Sequence, residues 1–103
     1  MVSGIDDLKR EIKKRLENIV FRNHFYLQAR KRSYLNKSLV IRTLRDFDNY
    51  LGFQKQNFKG ELRYRIGVKL SNRYSLIIVL VFSEESLNII TYIANYGYNN
   101  SNQ

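Results

Sequence analysis

Apolar residues in the N-terminal half of the chain recur at helical spacing. Ile5, Leu8, Ile12, Leu16 and Ile19 follow one another at steps of 3, 4, 4 and 3, which turns one stripe toward a core and predicts a helix over residues 5–19. Ser3 is placed to cap its first turn, Asp6 and Asp7 sit at the positive end of its dipole, and Lys13, Lys14 and Arg15 fall in its later half. A short extended piece, residues 20–23, leads into a second helical stretch from His24 to about Arg32. Asn36 then caps a third helix whose Val40, Leu44, Phe47 and Leu51 face inward at steps of 4, 3 and 4, with Gly52 at its C-terminal stop.

Beyond Gly52 the period changes to two. Leu62, Tyr64, Ile66, Val68 and Leu70 alternate with Arg63, Arg65, Gly67 and Lys69, a strand with one wet, basic face. After a turn at Ser71 and Asn72, residues 74–82 are nearly all apolar, which predicts a central strand covered on both faces. Glu84, Glu85 and Ser86 make the next turn. Residues 87–96 form a last antiparallel strand, with Leu87, Ile89, Thr91 and Ile93 alternating against Asn88, Ile90, Tyr92 and Ala94. Residues 53–58 are the candidate for one more edge strand. The expected fold is therefore α+β, with two to three helices packed on one face of a three- to four-stranded antiparallel sheet. Residues 1–96 are read as one domain and 97–103, rich in Asn and Ser, as a flexible tail.

Size and charge narrow the chemistry. A chain of 103 residues, 44% hydrophobic, can close one core and no more. It has no Cys, so disulfides, thiolate metal sites and cysteine catalysis are excluded, and a reducing, cytoplasmic setting is expected. The longest apolar run, residues 76–82, is far short of the roughly 20 residues a membrane span needs, so no membrane association is expected. Lys and Arg number 18 against 9 Asp and Glu, a net charge of +9 that makes a polyanion the default partner.

The distribution of that charge matters more than its sum. Residues 18–45 contain no acid, while Arg22, Arg30, Lys31, Arg32, Lys37, Arg42 and Arg45 all fall inside the window. Arg63, Arg65 and Lys69 share the polar face of the first long strand, and a second helix crossing that face would merge both sets into one phosphate-binding patch. The bland alternative is a set of solvated charges that keep the protein soluble. His24, the only histidine, is either a general acid or base or a helix cap. Tyr92 and Tyr96 are placed to stack on bases or donate to a phosphate, or else to pack against the first helix or seal a dimer. The carboxylates are too dispersed for a metal site, and neither a phosphate loop nor a nucleophile elbow is present, so no metal or cofactor is expected.

The run Ile19-Val20-Phe21-Arg22-Asn23-His24, followed by Arg30 and Arg32, a helix from Asn36, an Arg-bearing strand at Arg63-Tyr64-Arg65-Ile66 and a final strand from Leu87 to Tyr92, resembles the toxin-like domains of the RelE/ParE and BrnT superfamily. The likeness covers residues 19–96. It implies a RelE-like sheet and a basic toxin held by an acidic antitoxin protein. Its RNA-cleaving members imply metal-independent cleavage, with Arg63 and Arg65 binding phosphate and Tyr92 moving protons, a role that the near-neutral pKa range of an imidazole also opens to His24, whereas other members poison a topoisomerase and cleave nothing. Arg22, Arg30, Lys31, Arg32, Arg42, Arg45, Lys69 and Tyr96 would complete the RNA-binding surface. The alternative is a non-catalytic nucleic-acid-binding protein using the same basic face.

Overall fold

The computed structural model describes residues 2–22 and 37–96. They form α1 (Ile5–Lys14), β1 (Ile19–Phe21), α2 (Lys37–Leu44), a single 3-10 turn (Phe47–Asn49), β2 (Tyr50–Phe58), β3 (Glu61–Lys69), β4 (Tyr74–Phe82) and β5 (Leu87–Tyr96). The strands make one sheet in the order β1-β5-β4-β3-β2. Neighbours from β2 to β5 are antiparallel, whereas β1 runs parallel to β5, with Ile19 beside Leu87 and Phe21 beside Ile89.

The sheet is therefore five-stranded and mixed, which corrects the expectation of a three- to four-stranded antiparallel, RelE-like sheet. The difference has a local cause at each end. β1 is only three residues long, too short to display a period, and its direction depends on a partner 68 positions away in sequence. At the other edge β2 begins at Tyr50, inside the stretch whose spacing predicts helix. Helix α2 stops at Leu44, and the chain then tightens through Asp46 N–H donating to the Thr43 carbonyl before entering the 3-10 turn. Phe47 still packs on the core, its ring centroid 5.4 Å from that of Tyr50, but Leu51, expected to face inward, is 51% exposed, because β2 begins at Tyr50 and turns it to the other face. The Tyr50 hydroxyl donates to the Leu44 carbonyl at 2.7 Å and so satisfies an orphan acceptor at the end of α2. Burial raises the pKa of that phenol.

Helix α1 likewise ends early, at Lys14. Arg15 N–H returns to the Ile12 carbonyl, and the loop that follows lets Leu16 and Ile19 reach the core without being helical. Gly4, not Ser3, is the capping residue of this helix, and the hydrogen bonds run the other way: Ser3 donates both its N–H and its hydroxyl to the Asp7 carboxylate. Those bonds, with Arg10 beside them, lower the Asp7 pKa to about 2. A carboxyl near 3.9 in the unfolded chain thus ionises more readily when folded, so its contribution is present above about pH 4 and lost as pH falls toward 2. Thermal unfolding followed from about pH 5 to about pH 2 should show the parent chain's lead over Asp7→Asn shrinking to nothing.

One face of the sheet carries the main core. Leu8 and Ile12 of α1 and Val40 and Leu44 of α2 pack on Tyr64, Ile66, Val68, Leu76, Ile78, Leu80, Leu87, Ile89 and Tyr92. Each fully buried aliphatic side chain contributes about 1.5–3 kcal/mol. The opposite face bears a small second cluster of Val79, Val81 and Ile90. Strand β4 is thus buried on both sides and holds the middle position, over the residues 74–82 that its composition predicts. The β2–β3 hairpin turns through Lys59 and Gly60, both at positive φ (52° and 85°), the conformation of a two-residue primed turn. No helix among the described residues is long and apolar enough to cross a membrane.

Candidate nucleic-acid interface

Alternation in β3 sorts its side chains cleanly. Tyr64, Ile66 and Val68 are buried toward the helices, so Arg63, Arg65, Gly67 and Lys69 point to the other face. Register places Gln54 beside Arg65 and Gln56 beside Arg63, two Arg–Gln rungs spanning β2 and β3. Farther along, Gly52 lies opposite Gly67, where neither strand raises a side chain above the sheet. Two depressions result on this one face. The first, of about 260 Å³, is lined by Leu51, Gly52, Gln54, Arg65, Gly67 and Ile77 among others. The second, of about 320 Å³, is lined by Gln56, Phe58, Arg63, Val79, Ile90 and Thr91.

Charge on the face is almost entirely positive. Arg22, just past β1, reaches Glu61 at 2.9 Å, and Arg63 reaches the same carboxylate through Nε at 3.2 Å. Hydrogen bonding from Arg22, then from Arg63, lowers the Glu61 pKa against the opposing effect of desolvation. Arg63 also lies over the Phe58 ring, 4.4 Å from its centroid. Among the described residues Arg65 and Lys69 have no acidic partner. The other eight acids lie elsewhere: Asp6, Asp7, Glu11 and Glu17 in or just after α1, Asp46 and Asp48 beside the 3-10 turn, Glu84 and Glu85 in the β4–β5 turn.

The expected cleavage site is not brought together. Tyr92 is fully buried on the helix side, behind the sheet from Arg63 and Arg65, and cannot meet a phosphate that those residues hold. The reason is a bulge. Leu80 pairs with Ile89 and Val79 with Thr91, so Ile90 is the extra residue and the alternation reverses after it. In an unbroken strand Tyr92 would share a face with Asn88; the bulge turns it inward beside Ile78 and brings Thr91 out beside Val79. Arg42 and Arg45, expected on the same binding surface, are exposed on and just after α2, in the layer behind the sheet, because Val40 and Leu44 anchor that helix to the core. Arg22 and Lys69 do lie with Arg63 and Arg65.

His24, Arg30, Lys31 and Arg32, the second helix and the 97–103 tail fall outside the described residues, as does the side chain of Tyr96. Among the described residues no group of three or more His, Asp or Glu side chains could hold a metal. Sequence reasoning passes over Gln54, Gln56, Phe58 and Glu61. The Lys59-Gly60 pair is the available signal, since a two-residue turn there fixes β2 against β3 and so fixes those four positions. Comparison with protein-family models, with curated proteins and with solved structures finds no match to this chain.

Proposed function

We propose that the protein is an RNA-binding module that holds the phosphate backbone on the sheet face opposite its helices. The observation that carries this reading is the row of Arg63, Arg65 and Lys69 on one face of β3, flanked by Gln54 and Gln56, with Glu61 the one acid at its rim among the described residues. Arg63 and Arg65, two residues apart on a strand, stand about 6.6–6.8 Å from each other, with Lys69 about twice that beyond Arg65 across Gly67. Each donor stands on a rigid sheet, and neutral amides beside them add hydrogen bonds without opposing charge. Arg at two of the three positions favours phosphate oxygens, which its planar fork can engage two at a time. Binding rather than cleavage is favoured by the place of Tyr92 behind the sheet.

Salt titration tests the reading. The affinity of the parent chain for RNA should fall steeply with salt, because each neutralised phosphate releases a counterion. Changing Arg63, Arg65 and Lys69 together to Ala should lower the slope of log K against log salt by about 2, near 0.7 for each single-strand phosphate that is no longer neutralised. An unchanged slope places the binding face elsewhere.

A further inference from the structure

We propose that the 320 Å³ depression beside Phe58 is a nucleobase pocket that takes one unpaired base of the RNA strand, an inference that rests on the RNA-binding reading of this face. Three features of this depression match a nucleobase. Its floor is apolar, for Val79 and Ile90 are only 7% and 4% exposed. Its wall is aromatic and half-exposed: Phe58 keeps 49% of its surface open, although it stands on a sheet strand beside a guanidinium. Its rim is polar, with the Gln56 amide and the Thr91 hydroxyl on the same lining.

A nucleobase is a flat π-system with a hydrogen-bonding edge, tied through sugar to a phosphate. The pocket offers a counterpart to each part. Phe58, with Arg63 over its ring, is a stacking surface that tolerates any base, because every base presents a π-face. Gln56 carries both a donor and an acceptor for the edge. For the phosphate, Arg22 and Arg63 already converge on one anionic group, the Glu61 carboxylate, at 2.9 and 3.2 Å. That carboxylate stands where a phosphate oxygen could be held, and a strand entering the pocket would compete with it for the two guanidiniums. A duplex keeps its bases stacked and paired and cannot fill such a pocket, so single strands are the substrate class.

Fluorescence anisotropy on the full chain decides this. The probes are a labelled oligouridine of about 12 nucleotides, within the site size of single-strand binders, and the same strand annealed to oligoadenine. The single strand should bind at least about tenfold more tightly than the duplex. Phe58→Leu should weaken single-strand binding by about tenfold with the salt slope unchanged, since it removes a stacking ring and no phosphate contact. Phe58→Tyr, which keeps the ring, should bind like the parent. If the duplex binds as tightly as the single strand and Phe58→Leu is neutral, the pocket proposal is overturned while the phosphate-binding face stands. If the parent chain binds neither probe, both fall together.

Discussion

Tyr92→Ala should destabilise the protein by about 3–5 kcal/mol, the range for deleting a large buried aromatic side chain. A small domain holds only about 5–15 kcal/mol in total, so the variant is expected to be largely unfolded at moderately raised temperature. Tyr92 is among the largest fully buried side chains, and it closes the core beside Ile78 and under the helices. Tyr92→Phe keeps the ring and should cost about 1 kcal/mol, the worth of a hydrogen bond. The two variants separate packing from chemistry. Tyr92→Phe should bind RNA like the parent chain, and denaturant unfolding beside a binding titration checks both halves. Loss of binding in a stably folded Tyr92→Phe protein would return this tyrosine to the site.

Reversing Arg65 and Lys69 to Glu should weaken RNA binding by at least about 10²-fold, from roughly 1.5 kcal/mol per charge-assisted hydrogen bond removed, before any repulsion is added. The informative control is a pair of reversals of equal charge on the other side of the molecule. Lys9 and Lys13 of α1 lie over the Tyr50 and Phe47 rings, 5.8 and 5.2 Å from their centroids, in the helical layer behind the sheet. Each double variant lowers the net charge of +9 by four. A site on the sheet face predicts that the Arg65 and Lys69 pair loses binding while the Lys9 and Lys13 pair changes it only a few fold. Equal losses in both would mean that net charge alone attracts the RNA.

Sequence shows most clearly what burial alone decides. Strand β4 is legible to the residue because it is apolar on both faces, and β3 to within one residue, 61–69 against an alternation over 62–70, because strict alternation survives in it. That alternation by itself places Arg63, Arg65 and Lys69 together. What stays hidden depends on geometry that leaves no trace in residue type. The bulge at Ile90 exchanges the faces of Thr91 and Tyr92 with no Gly or Pro to mark it. Phe47 packs on the core from a 3-10 turn as readily as from a helix, while Leu51, one helical step later, lies on the outward face of β2. The polar positions of β2, Gln54 to Asn57, show no alternation because that strand is an edge and most of it is exposed.

The parallel pairing of β1 with β5 joins residues 19–21 to residues 87–89, across the whole span of the other strands. Among the described strands no earlier one can hold β1, since β5 is its sole neighbour in the sheet. On the ribosome, where chains grow at roughly 5–20 residues per second, β1 must therefore wait for residues 87–89 before it has a strand to pair with. Over that interval β4 has emerged with β3 on one flank and no strand on the other, its doubly apolar surface one strand short of cover. The nascent chain is most exposed to mispairing with another chain before β5 is made, and that ten-residue strand both covers the open flank of β4 and recruits β1.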